Sequence, residues 1–323
     1  MAGNLSEDPR VSVVYPTRDR AHFLRRSLEA LLANARLPDE IVVADQSRTD
    51  ATRRLVASFN DPRLVHVPSG ETGLSRGRNA GIRASRFPIV GFLDDDCIPA
   101  RDWVSSALET ILRFPGSSVF IGEIFRNEDD DPDKIPVGLP EKLLHLQGAN
   151  DPWRLGPTGG NSFFRKCVFE KVGLFDPLLG QGSDFPGAED GDMVYRVLRH
   201  GLQATYSNAI RCVHVGWRND DENIQNGYNY GMGVGAMLAK YAALGDYYPI
   251  GVIFPRRFLF RYLSLPCHLA LGRKRNFQRN LKWCQGIAEG FRKWRQASAR
   301  MRRGDDAGDA PGGQCRPVLA PER

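Results

Sequence analysis

The chain contains no long hydrophobic run. Its longest uncharged apolar stretches near the C-terminus, 247–255 (YYPIGVIFP) and 262–272 (YLSLPCHLALG), fall short of the roughly 20 residues that cross a bilayer. The first ten residues, MAGNLSEDPR, hold no apolar segment of the kind that makes a secretory signal. Cysteine is sparse: Cys97, Cys167, Cys212, Cys267, Cys284 and Cys315 are scattered with no CxxC pair. That excludes a zinc ribbon and a dense disulfide framework and suits a reducing compartment. The expected location is cytoplasmic. Acid is nearly missing from one segment, since residues 256–303 carry 14 Lys and Arg against the single acid Glu289. The whole chain is only +6, so this segment at +13 leaves the remainder at −7: a mildly acidic body and a strongly basic extension. No internal repeat is present.

What is there is the composition of a folded protein. Of 323 residues, 41% are hydrophobic and 25% charged, within the ordinary globular range and enough to bury a large core. Residues 11–15 (VSVVY), 40–44 (EIVVA), 63–67 (RLVHV) and 89–93 (IVGFL) are short apolar runs that predict strands buried on both faces. Between them lie helical patterns. Leu24, Leu28, Leu31 and Leu32 share one face, residues 50–59 follow Thr49 or Asp50 as a capping residue, and residues 74–85 form a third helix. Such alternation implies a mostly parallel sheet with helices on both sides. Further on, 103–114 reads as helix, 118–125 as strand, 126–158 as a long loop region, 167–172 and 187–201 as helices, and 204–216 as extended. The expected organisation is a flexible N-terminus (1–9), a catalytic domain (10–222), a basic helical extension (223–303) and a disordered tail (304–323).

Parallel sheets bind ligands at the carboxyl ends of their strands. The polar segments that follow strands, Pro16–Arg20, Asp45–Asp50 and Asp94–Cys97, are therefore expected to line one crevice. Asp94, Asp95 and Asp96 are consecutive. Carboxylates so close raise one another's pKa unless a cation compensates, and Mg²⁺ or Mn²⁺ shared with substrate phosphates is the simplest one. The alternative is that one Asp caps a helix starting near Pro99. Asp45 either accepts hydrogen bonds from a base or ribose or merely starts a turn. Arg76, Arg78 and Asn79 open a helix where guanidinium groups suit a diphosphate. Glu189-Asp190-Gly191-Asp192 offers either a general base or a helix cap.

VSVVYPTRDR, EIVVADQSRTD, LSRGRNAGI, IVGFLDDDCIP, GGNSFFRK and GAEDGDMVYRV occur in this order. Over residues 10–218 the chain resembles the family 2 glycosyltransferases. The resemblance implies a GT-A-type, Rossmann-like sheet and inverting transfer of a sugar from a nucleotide diphosphate sugar to a hydroxyl, in cell-surface polysaccharide or glycoconjugate synthesis. By resemblance, Thr17, Asp45, Arg78, Asn79, Asp94 and Asp95 match donor-binding positions. Asp96 matches the metal ligand of the DxD motif for Mg²⁺ or Mn²⁺; His214, read from VHVGW itself, either completes that metal shell or is a structural histidine at a strand end. Asp190 matches the catalytic base, and Glu189, Gly160 and Asn161 match positions at the acceptor and donor sugar. The usual DDGS turn reads Asp45-Gln46-Ser47-Arg48, keeping the first acid and losing the second. The QxxRW motif of processive synthases is missing, the nearest such pair being the reversed Trp217-Arg218. That favours single-sugar transfer.

Two rival readings remain at this level. A sugar nucleotidyltransferase wants a glycine-rich loop after its first strand, where this chain has PTRDRAHF. A non-catalytic nucleotide- or sugar-binding relative has no need of every acidic position. The expected partners are a nucleotide-sugar donor and a sugar, lipid-linked or other hydroxyl acceptor. Nucleic acid is not expected, since no recognised module accompanies the charge. Phe258, Leu259, Phe260, Tyr262, Leu263 and Leu265 lie among Arg256, Arg257 and Arg261. This mixture suits either peripheral contact with an anionic membrane through 256–303 or a helical pair packed on the catalytic domain.

Overall fold

In the computed structural model of the chain, residues 9–126, 140–148, 152–155, 159–215 and 220–303 are described. The expected flexible residues 1–8 and the tail 304–323 lie outside them, as do most of 126–158 and Trp217-Arg218. The four apolar runs form β1 (Val11–Thr17), β2 (Glu40–Asp45), β3 (Leu64–Pro68) and β4 (Ile89–Leu93). β1, β2 and β4 are buried along their whole length. The helices α1 (Ala21–Leu32), α2 (Ala51–Ser58) and α3 (Leu74–Ala84) connect them.

The strands pair in the order β3-β2-β1-β4-β8-β6-β9-β5, with β7 added beside β9. The first four are mutually parallel. β8 (Asn161–Arg165) then runs antiparallel between β4 and β6 (Ser117–Arg126), and β6 pairs β9 (Gln203–His214) in parallel. β6 and β9 therefore point the same way as β1. Two short strands, β5 (Cys97–Pro99) and β7 (Leu143–Gln147), pair antiparallel with β9. The sheet is thus mixed at one side and parallel at the other. The helix expected near Pro99 does not start there: Cys97–Pro99 is held in β5 by its pairing with β9, and α4 (Trp103–Arg113) begins later. Within the loop expected over 126–158, Leu143–Gln147 is a strand and Pro152–Leu155 a 3₁₀ turn. Asp50 stands at the start of α2 as expected but makes no side-chain cap; its carboxylate pairs with Arg54 at 3.1 Å instead.

Alternation along the strands sorts the core into two layers. Val11, Val13, Tyr15, Ile41 and Val43 pack against α1, α2 and α4 on one face. Val14, Val42, Val90 and Phe92 pack on the other against α3, α5 (Cys167–Val172) and α6 (Glu189–Arg199). Buried charge in this scaffold is paired. Glu40 receives the Ser12 hydroxyl at 2.6 Å, the Arg86 amide at 2.9 Å and the Arg86 guanidinium at 2.6 Å.

The chain divides into two compact units, the first 1–177 with 190–217, the second 178–189 with 218–323. The second unit is helical: α7 (Asp220–Ala243), α8 (Tyr248–Phe254), a π-helical turn (Pro255–Leu259), α9 (Phe260–Leu263), α10 (Leu265–Ala270) and α11 (Lys274–Arg303). Residues 178–189 belong with these helices: Leu179 and Phe185 are buried in one cluster with Met232 and Ala236 of α7. α7 and α11 meet backbone to backbone. A methyl group at Gly235 would overlap the Ile287 carbonyl, and one at Gly290 the Met232 carbonyl. In this pair glycine serves close approach.

Candidate active site

The carboxyl edge of β1, β2 and β4 carries the site. Thr17 ends β1 directly beside Asp45, the last residue of β2. The Thr17 hydroxyl reaches across to donate to Asp95 Oδ2 at 2.7 Å, so the acidic turn after β4 is tied to the end of β1. Asp45 accepts the Ser47 amide at 2.9 Å, and its other oxygen lies 2.9 Å from His66 Nε2. Thr17, Asp45, Asp95 and Asp96 are all buried. These sequence-predicted residues converge as the strand order requires.

The protein itself supplies part of the compensation that three adjacent carboxylates demand. Arg20, at the start of α1, sits 3.1 Å from Asp95 and 2.6 Å from Asp96. Its guanidinium also stacks on Phe23 at 4.7 Å. Arg78, fully buried in α3, lies 3.3 Å from Asp94 and over the rings of Phe175 and Phe92. Even so, burial pushes the Asp95 carboxyl up to about 7; Arg20 opposes the rise and Asp96 adds to it. Burial likewise carries Asp94 above the usual carboxylate range against the pull of Arg78. Burial thus disfavours the ionised form of these acids, and a further cation brought here favours it.

Asp96 Oδ2 also lies 3.5 Å from His214 Nε2. Sheet register produces that meeting, because Cys97 of β5 is directly opposite His214 of β9. One carboxylate with one imidazole is a donor set that Mg²⁺ or Mn²⁺ accepts, with water and substrate phosphates filling the rest. Among the described residues no three His, Cys, Asp or Glu side chains form a fuller shell. The residues present fit an ion that is shared with its substrate.

Gly160 and Gly159 line the opposite wall. A Cβ at Gly160 would come within 2.6 Å of the Asp94 carboxylate, and one at Gly159 within 2.8 Å of Arg78. Only glycine lets this loop touch the Asp94–Arg78 pair. Asn161 and Asn79 spend their amide groups within the protein. Asn161 is fully buried, accepting from Trp103 Nε1 at 2.8 Å and donating to the carbonyls of Glu123 and Ile210 at 2.9 and 3.0 Å. Asn79 exchanges both amide functions with the backbone of Phe175, at 2.8 and 2.9 Å. Both fasten the loops that shape the site.

Asp190 lies in the first turn of α6. α6 packs on the sheet through Met193, Val194, Val197 and Leu198 and leads by three residues into the amino end of β9. A helix feeding a parallel strand in this way runs back along the sheet, so its N-terminus faces the carboxyl edge. The approach to it is anchored there too: Arg76, in the first turn of α3, donates to the Pro177 carbonyl at 3.0 Å. Asp192, fully buried, is held 2.9 Å from Arg196, whose guanidinium also binds the carbonyls of Val172, Gly173 and Leu174. The two acids of this motif thus divide: Asp192 secures the helix, and Asp190 stands in its first turn, half-buried.

Reading the sequence by motif passed over Arg20 and His66. The segment Pro16–Arg20 was marked by its place after a strand, yet nothing in PTRDR distinguishes the second arginine as the partner of Asp95 and Asp96. His66 sits inside an apolar strand run, and only the pairing of β2 with β3 puts it against Asp45.

The glycosyl transferase family 2 profile matches residues 12–173. The chain is 29% identical over 241 residues to a validoxylamine A glucosyltransferase of Streptomyces hygroscopicus subsp. limoneus, covering 64% of this chain and 52% of that protein. It spans about half the length of the curated relatives it first matches. Among solved structures it is similar to the mannosyltransferase PcManGT of Pyrobaculum calidifontis in complex with GDP-Man and Mn²⁺. That likeness has a TM-score of 0.54 at 17% identity, covering 95% of this chain and 79% of the other. It is also similar to S. aureus TarS 1–349 in complex with UDP-GlcNAc, with a TM-score of 0.51 at 14% identity, covering 91% and 92%. At these identities the structures speak for the GT-A fold. The family profile spans half of the chain, including the strands that carry Thr17, Asp45 and Asp94–Asp96, and by it the chain belongs to glycosyl transferase family 2.

Proposed function

We propose that this protein transfers a single sugar, with inversion, from a nucleotide diphosphate sugar to the hydroxyl of a sugar, lipid-linked or other acceptor. The synthesis of cell-surface polysaccharide or glycoconjugate is the setting. One observation carries the reading: at the carboxyl edge of a parallel sheet, Asp94–Asp96 meet Thr17, Arg20 and Arg78 from distant parts of the chain, with Asp45 beside Thr17. A sugar nucleotidyltransferase is not favoured, because the turn after β1 has an arginine bound to acids where that reaction wants a glycine-rich phosphate loop.

In this mechanism Asp45 and Thr17 border the nucleoside, and Arg78 and Asp94 border the ribose and diphosphate. Asp190 takes the proton of the acceptor hydroxyl. The acceptor's oxygen forms a bond to the anomeric carbon on the face opposite the leaving group. The carbon–oxygen bond to the diphosphate breaks, and the electron pair leaves with the nucleoside diphosphate. Asp96 and His214 would hold Mg²⁺ or Mn²⁺, which when bound supplies positive charge for the departing diphosphate. The Gly159–Gly160 wall admits the donor sugar beside Asp94, and Glu189 borders the acceptor. Holding both substrates in line supplies much of the remaining rate.

The test is a panel of nucleotide diphosphate sugars incubated with the full chain, candidate acceptors and Mg²⁺ or Mn²⁺. Product release is followed, and the anomeric configuration is read by NMR. Metal-dependent turnover giving the inverted anomer is the expected result. A product of retained configuration, or donors neither bound nor consumed, contradicts the proposal.

A further inference from the structure

Six of the ten large hydrophobic side chains that are exposed among the described residues fall within residues 259–271. Leu259, Phe260, Tyr262, Leu263, Leu269 and Leu271 lie on the run formed by the π-helical turn, α9, α10 and the residue after it. Phe260 is 75% exposed, and Leu263 and Leu269 are 65% and 66% exposed. Scattered apolar residues on a protein surface need no explanation, but a contiguous group of this size does.

The inward side of the same run is polar where a water-soluble helix is usually apolar. Arg261 is half-buried against α11, its guanidinium 4.5 Å over the Trp283 ring and donating to Asn280 at 3.0 Å. Asn280, itself buried, donates to the Ser264 hydroxyl at 3.0 Å. Leu265 is the apolar residue that this run buries. Polar anchors inside and leucine and phenylalanine outside is the arrangement for a medium that is not water. Along one side Phe254, Phe258 and Tyr262 stack at 4.9 and 5.7 Å between ring centroids, the kind of aromatic array that sits at a membrane interface.

Charge identifies the occupant. Exposed Arg256 precedes the apolar residues, and exposed Arg273, Lys274 and Arg275 follow them. A second copy of the chain docking by two-fold symmetry would set this basic rim against its own kind, which opposes association. An acyl layer under anionic headgroups accepts the leucines and the cations together. None of the helices among the described residues is long and apolar enough to cross a membrane, so the geometry is that of a segment lying in the interface. We propose that residues 256–275 are a membrane-docking surface that inserts Leu259, Phe260, Tyr262 and Leu263 into an anionic bilayer. This makes the basic C-terminal segment a membrane anchor, and it needs no assumption about the reaction catalysed.

The full chain is sedimented with phosphatidylcholine vesicles, with and without phosphatidylglycerol. Partitioning about tenfold stronger onto the anionic vesicles is expected, weakening at high salt. Phe260→Ser/Leu263→Ser and, separately, Arg273→Glu/Lys274→Glu/Arg275→Glu should each lower partitioning about tenfold with the melting temperature unchanged, since these side chains are exposed. Wild-type protein that stays in the supernatant with anionic vesicles overturns the proposal, as do variants that sediment like wild type. So does light scattering that finds a wild-type dimer and a monomeric Phe260→Ser/Leu263→Ser variant, because the face then belongs to a second copy. Nucleotide-sugar turnover measured without vesicles reports on the catalytic reading separately, so the failure of either is visible in the other's presence.

Discussion

The two units of the chain both bury apolar clusters but differ in where they leave large apolar side chains exposed. In the first, apolar strand residues alternate into two layers and each buried acid described above has a partner. In the second, α7 and α11 touch through glycines with backbone against backbone, and a neighbouring helical run turns polar side chains inward and leucines outward. The first unit obeys the rule that water imposes on a globular core. The second departs from that rule in its helical run, and the departure points to its surroundings. The proposed membrane-docking surface accounts for that departure, because an apolar face exposed to lipid is stable.

The sharpest way to break this comparison is to load the glycine contact. Gly290→Leu drives a side chain into the Met232 carbonyl, and its cost is expected at about 3 kcal/mol or more, read as a lowered thermal midpoint. Gly251 in α8 has open space around its missing Cβ, so Gly251→Ala should change stability by no more than about 1 kcal/mol, in the stabilising direction. Equal effects at the two positions would mean that α7 and α11 do not meet as described.

Next in size is Asn79→Ala. Removing both bonds to Phe175 should cost about 2 kcal/mol in urea unfolding. A loss of donor affinity with no loss of stability would instead make Asn79 a ligand.

The smallest expected effect concerns Glu40. Burial acts to raise its carboxyl, but the Ser12 hydroxyl and the Arg86 amide and guanidinium outweigh it, holding the carboxyl below its ordinary value. A depressed carboxylate adds stability above its unfolded pKa, about 4.3, and loses it as pH falls through the folded value. Glu40→Gln should therefore cost about 1 kcal/mol at neutral pH and flatten the fall in stability below about pH 4. An unchanged acid limb contradicts the assignment.

The parallel half of the fold was legible because VSVVY, EIVVA and IVGFL can be buried only between two helix layers, and the helices between them show one apolar face. What was hidden depends on partners. LLHLQ at 143–147 lies in a stretch rich in acid, proline and glycine, and β9 alone makes it a strand. NSFFR was given no element from its sequence, and β4 and β6 on either side make it a strand. In the site, Thr17, Asp45 and the three aspartates could be placed by the strand-end rule. The ion pairs of Arg20 and the hydrogen bond of His66 follow from register and packing, which no local pattern encodes. The basic extension was legible as charge; its inverted polarity became visible only when α11 showed which face was covered.

The central claim is that acids from separate parts of the chain act as one site with Asp190 as base. The measurement that tests it most directly is the rate of sugar transfer by Asp190→Asn beside its donor dissociation constant, with the melting temperature as a control. A fall in kcat of about 10²- to 10⁴-fold with donor binding unchanged is the predicted result. Transfer at the wild-type rate would contradict it.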